Sequence, residues 1–160
     1  MTYNDILRRV RYALNLSDAK LVKTFALGGQ TVTVEQARAW MGKEDDEGVE
    51  MLPGPVFADF LDGLVIDRRG PRDPALPEPP RERILSNNAI FKKLRIALVL
   101  DEPTVLAMLE QGGQPLSKHE LSALFRKPKH KHYRACGDQV LRAFLKGLTL
   151  TLRPQEAAAE

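Results

Sequence analysis

His130-x-His132-x-x-x-Cys136, with Asp138 just beyond, gathers two imidazoles, a thiol and a carboxylate in one stretch. Imidazole and thiolate suit zinc, which in structural sites takes four ligands in a tetrahedron. The spacing follows no standard zinc pattern, and the interleaved Lys127, Lys129 and Lys131 would repel a cation. No metal and no cofactor is therefore expected, and His130 reads equally well as a pH-sensitive contact. The same lysines would stabilise a Cys136 thiolate. No general base or orienting partner accompanies it, so a buried structural thiol is the better reading. Asp59, Asp62 and the carboxylates of Glu44–Glu50 would work as acid/base pairs only in a pocket. With none evident they read as a solvated face. G-G-Q (Gly28–Gln30) matches neither the dinucleotide nor the P-loop glycine pattern. No catalytic residue is assigned, and the chain is expected not to be an enzyme.

What places these residues is a duplication. Residues 4–69 align without a gap onto residues 88–153, at a constant offset. N-D-I-L-R-R-V-R-Y-A-L-N-L (Asn4–Leu16) returns as N-A-I-F-K-K-L-R-I-A-L-V-L (Asn88–Leu100), and F-L-D-G-L (Phe60–Leu64) returns as F-L-K-G-L (Phe144–Leu148). The copies differ most in charge. Repeat one carries 9 Lys and Arg against 11 Asp and Glu, while repeat two carries 12 against 5. The difference peaks in one segment, K-E-D-D-E-G-V-E (Lys43–Glu50) in repeat one and K-P-K-H-K-H-Y-R (Lys127–Arg134) in repeat two. Asp45, Asp46 and Glu47 align with Lys129, His130 and Lys131.

Three readings of that segment stand side by side. Arg126, Lys127, Lys129, His130, Lys131, His132 and Arg134 form a basic patch suited to phosphates, with Tyr133 to stack on a base. Alternatively, the patch is complementary to Glu44, Asp45, Asp46 and Glu47, within the molecule or across a homodimer. The third reading is solvated surface. The helix ending at Gly112-Gly113 and the one starting at Ser117 also resemble a helix-turn-helix, with Ser117–Lys127 in the recognition position.

The periodicity predicts four helices per repeat and no strand. Ile6, Leu7, Val10, Ala13 and Leu14, and their counterparts Ile90, Phe91, Leu94, Ala97 and Leu98, mark the apolar stripe of the first helix. The second starts at Ser17 or Asp101, both good N-caps, and ends at a Gly-Gly pair. The third opens with a capping box, Thr33-x-x-Gln36 or Ser117-x-x-Glu120. The fourth starts near Pro53–Pro55 in repeat one and, with no proline there, near His132 in repeat two. It carries Gly63 or Gly147 inside, which predicts a close helix crossing. Proline-rich Gly70–Arg83 predicts an extended linker. The expected division is repeat one over 1–69, linker over 70–84, repeat two over 85–153 and a frayed tail over 154–160.

A single repeat is small for an adequate core. The expected architecture is therefore all-α, with two four-helix repeats packed as one pseudo-two-fold body. The crossings at Gly63 and Gly147 are expected near its axis. One cysteine among 160 residues and no long apolar run predict a cytoplasmic protein without a membrane span.

Four motifs resemble those of the YehS-like family of small bacterial proteins, built on a duplicated domain of unknown function. They are N-D-I-L-R-x-V-R-Y from Asn4, K-E-D-[DE]-E-G at Lys43–Gly48, F-L-x-G-L at Phe60–Leu64, and H-K-x-Y-R-x-C-G-D-Q-x-L-R-x-F-L-x-G-L at His130–Leu148. The resemblance implies a bacterial, cytoplasmic, all-helical protein and brings no catalytic residue with it. The leading expectation is a non-enzymatic interaction module, binding a protein partner or itself. The alternative is nucleic-acid binding through 126–134.

Overall fold

The apolar stripe at Ile6–Ala13 is the buried face of α1 (Tyr3–Leu14), where Ile6, Leu7, Val10 and Ala13 are all 2% exposed or less. Its counterpart α5 (Asn87–Ala97) buries Ile90, Phe91, Leu94 and Ala97. Each of the larger side chains, Ile, Leu, Val or Phe, contributes about 1.5–3 kcal/mol on burial. The computed structural model describes residues 1–77 and 84–154, and among these it holds eight helices and no strand. Repeat one continues with α2 (Asp18–Leu27), α3 (Val34–Ala39) and α4 (Gly54–Arg69). Repeat two continues with α6 (Glu102–Gln111), α7 (Lys118–Leu124) and α8 (Asp138–Leu152). The chain divides into two compact units that follow the repeats, the first through Leu85 and the second from Ser86, with Ile96–Leu98 grouped in the first. Among the described residues no helix is long and apolar enough to cross a membrane.

Caps set the helix boundaries. Ser17 and Asp101 accept from the third residue onward in α2 and α6, at 3.1 and 2.9 Å. Both helices close in the same way: Gly29 and Gly113 turn left-handed (φ +96° and +92°), and Gln30 and Gln114 donate back to Phe25 O and Leu109 O. That is the Schellman arrangement, which satisfies carbonyls the helix leaves orphaned. The capping box is complete at Ser117–Glu120. At Thr33 only half forms, because the Gln36 amide turns instead to Glu50 Oε2 at 2.8 Å. A further box, Thr2 with Asp5, closes the start of α1.

The predicted close crossings lie inside each repeat, between its second and fourth helices. A Cβ on Gly63 would strike Thr24 O, and one on Gly28 would strike Asp59 O. In repeat two the same reciprocal contacts pair Gly147 with Met108 O and Gly112 with Ala143 O. Backbone therefore rests on backbone, which only glycine permits. Around each crossing lies an aromatic core. Phe25 touches Phe60 and Trp40 at centroid distances of 4.9 and 5.4 Å. Phe91 stacks on Phe144 at 4.2 Å and meets Phe125 edge-on.

Two sequence expectations are corrected. α8 starts at Asp138 rather than near His132, since the preceding segment folds as a clamped loop. The described part of the linker is not uniformly extended: Asp73 makes a turn, accepting from Ala75 N through Oδ1 and from Leu76 N through its carbonyl. Residues 78–83 of the linker and 155–160 of the expected tail lie outside the described residues.

Asn15 and Val99 end the first helices of the two repeats in the left-handed region, both at φ 53°. Asn tolerates that conformation; a β-branched residue is strained there. Val99→Asn should raise unfolding free energy by about 1 kcal/mol. Gly147→Ala should lower it by about 3 kcal/mol, although Ala is the better helix former. Denaturant unfolding of the two variants checks both signs.

Candidate functional site

The segment in which the repeats differ most hangs from one asparagine per repeat, buried in repeat one and half-buried in repeat two. Asn4 is 1% exposed. Its amide donates to Gly42 O and Glu50 O at 3.2 and 2.8 Å, and its carbonyl oxygen accepts from Leu52 N at 2.7 Å. Asn88 does the same in repeat two: its amide donates to Leu124 O and Arg134 O, both at 2.9 Å, and Cys136 N donates to its Oδ1 at 2.9 Å. One side chain thus satisfies three backbone groups, at both ends of the loop that follows the third helix. Within the loops the backbone bonds also match. Asp46 N donates to Lys43 O and Glu50 N to Ala39 O; His130 N donates to Lys127 O and Arg134 N to Ala123 O. Two loops of one backbone design carry opposite charge.

In repeat one, Glu44, Asp45, Asp46 and Glu47 are exposed. Asp46 is partly used in shaping the loop, accepting from Lys43 N at 2.8 Å. In repeat two, Lys127, Lys129, His130, Lys131, His132 and Arg134 are exposed, and Tyr133 is half-buried. His130 Nδ1 accepts from His132 N at 3.0 Å, so that ring belongs to the loop's own fold. Arg126 lies lower, half-buried, with its Nε enclosed and unpartnered and its Nη1 3.5 Å from His130 Nε2. Arg134 pairs with Glu120 at 3.4 Å. The Ser117 N–H and hydroxyl, then Arg134, hold the Glu120 carboxyl below its ordinary range.

The metal-type residues part company. His130 and His132 stand outside on the loop, while Cys136 is 6% exposed beneath it. Among the described residues no three of His, Cys, Asp and Glu converge as metal ligands do. Burial, aided by the Asp138 charge, pushes the Cys136 thiol up to about 11, opposite to what a nucleophile needs. The helix-turn-helix likeness weakens as well. Six residues separate Gln111 from Lys118, and α7 is 7 residues long. Recognition helices in that motif follow a turn of about 3–4 residues.

Asp59 corrects another expectation. It is 6% exposed rather than solvated, and its carboxylate accepts from Gln30 Nε2 at 2.8 Å. Its counterpart in repeat two is Ala143. Sequence reading also missed a cleft of about 380 Å³ beside the basic loop, lined by Gln114, Leu116, Glu120, Leu124, Arg134 and the first turn of α8. Its sequence signs are the replacements of Trp40 by Leu124 and of Asp59 by Ala143.

The profile of a protein family of unknown function, DUF1456, matches this chain twice, over residues 3–70 and 87–153. The uncharacterized protein YehS of Escherichia coli (strain K12) is 45% identical over 148 residues, 92% of this chain and 94% of that protein. No solved structure matches.

Asn88→Ala would strand three backbone groups, two of them part-buried, and should cost about 2 kcal/mol. Asn88→Asp keeps the acceptor and loses the donors, so it should destabilise at neutral pH and partly recover when its carboxyl is protonated. For Cys136 the unfolded thiol ionises first, so stability should fall as pH rises from about 9 towards about 11. Cys136→Val should remove that part of the slope, read by urea unfolding across the range.

Proposed function

The chain belongs to the DUF1456 family of proteins of unknown function, and we propose that it is a non-enzymatic interaction module. Its working surfaces are the loop Lys127–Arg134 and its acidic counterpart Lys43–Glu50. The observation that carries this reading is the pairing of one backbone design with inverted, exposed charge. Among the described residues, Lys127, Lys129 and Lys131 have no ion-pair partner, nor do Glu44, Asp45 and Glu47. A fold that needed those charges for its own stability would pair them. A single exposed ion pair adds only about 0–1 kcal/mol. A clamped loop presenting several like charges together is what makes an encounter specific. The buried, high-pKa thiol and the engaged carboxylates favour a binding role over catalysis.

A protein partner or a second copy of the chain is the leading occupant of these surfaces. Nucleic acid is the second reading, and one observation favours it: the basic character continues along α8. Arg142 and Lys146 are exposed one turn apart, where repeat one has Ala58 and Asp62. Such a stripe suits a phosphate backbone.

Two triple charge reversals separate these readings. Replacing Lys127, Lys129 and Lys131 by Glu should abolish either association and leave the melting temperature within a few degrees of the parent. Replacing Glu44, Asp45 and Glu47 by Lys should abolish an acid–base protein contact, yet leave or strengthen retention on heparin. Light scattering and heparin elution across a salt series read both. Self-association and heparin retention that both triple variants leave unchanged would remove these loops as working surfaces.

A further inference from the structure

The cleft in repeat two lies where repeat one is filled by its own side chains. In repeat one, Trp40 packs against Phe25 and is 9% exposed. At the equivalent position Leu124 carries a smaller apolar side chain and lines the cleft. Gln30 is engaged by the Asp59 carboxylate, but Ala143 offers Gln114 no such acceptor. Among the described residues the Gln114 side chain makes no hydrogen bond, although it is half-buried at the cleft wall. Finally, the neutral-to-acid pair Gln36–Glu50 is replaced by Glu120–Arg134, which sets a guanidinium on the rim. Repeat two has therefore lost an indole and a carboxylate, and kept the amide that faced the carboxylate.

We propose that this cleft binds a small aromatic carboxylic acid that restores what repeat one supplies internally. The ring lies against Leu116, Leu124 and Val140. The carboxylate accepts from the Gln114 amide and the Arg134 guanidinium, a charge-assisted arrangement suited to carboxylates. The volume of about 380 Å³ falls in the range of small-ligand sites. Two carboxylates share the wall, and both are engaged: Glu120 by Ser117 N and Arg134, and Asp138 by the Asn87 amide at 2.8 Å. Asp138 disfavours an anion at its own end, and the Arg134 guanidinium, bonded to Glu120 through Nη1 alone, has further N–H donors for the ligand. The cleft shares Arg134 with the charged loop, whereas Gln114, Leu116, Leu124 and Val140 lie outside it, so Gln114→Ala tests the cleft without touching the interaction reading.

The test titrates indoleacetate and phenylacetate into the full chain, followed by calorimetry and amide NMR spectra. Both acids should bind with dissociation constants below about 1 mM, and the corresponding amides at least about tenfold more weakly. Gln114→Ala and Arg134→Ala should each weaken the acids by about tenfold. Ala143→Asp and Leu124→Trp give repeat two the internal occupants of repeat one, and either one that folds should abolish binding. The proposal is overturned if neither acid shifts the resonances of the cleft residues at about 10 mM. It is equally overturned if acid and amide bind alike, or if a folded Ala143→Asp or Leu124→Trp protein binds as the parent does.

Discussion

Each repeat is organised by the contact of two helix backbones. Gly28 lies on the carbonyl of Asp59 and Gly63 on that of Thr24; Gly112 and Gly147 repeat the contacts on Ala143 and Met108. Side-chain packing tolerates small slides, since rotamers can adjust. Backbone on backbone leaves no such freedom, because neither surface has an atom to move. The fourth helix is thereby fixed in position and rotation against the second. The buried faces of both then settle the aromatic core, and the start of the fourth helix settles where the preceding loop must end.

That loop is closed from below by a single asparagine. An uncharged amide is the one short side chain that can donate to two carbonyls and accept from an N–H at once. Aspartate lacks the donors, and an aliphatic residue would strand all three groups. Because the clamp binds only backbone, it does not depend on the loop's side chains. The duplicated loops were therefore free to diverge from an acidic run to a basic one without changing their turns. The same logic explains where α8 begins: residues that sequence periodicity would place in the helix are committed to Asn88 instead.

The repeats also diverge inside. In repeat one, Trp40 and the Gln30–Asp59 pair close the space beside the third helix. Repeat two has Leu124 and Ala143 at those positions, and an open cleft walled partly by Gln114 and Arg134. The copy with the divergent basic loop is also the copy with the cleft. One repeat is filled by its own side chains, and the other presents the Gln114 amide and a guanidinium on the rim.

Much of this was legible in the sequence, and for local reasons. Apolar spacing, Ser and Asp caps, the Gly-Gly stops and the internal Gly63 and Gly147 are short-range signals, so they gave eight helices and a close crossing in each repeat. Duplication made them stronger, since each was read twice. The charge inversion at 44–50 and 127–134 needed only the alignment. What tertiary structure alone decided was which distant groups meet. Asn4 and Asn88 stood out only as a shared first letter of the repeat, because a clamp's meaning lies in backbone groups 36 to 48 residues away. Asp59 looked like surface because its partner, Gln30, lies in the turn that closes another helix. Cys136 and the two histidines are near in sequence, yet burial separates them. The cleft is the space left between elements, which no single stretch of residues encodes.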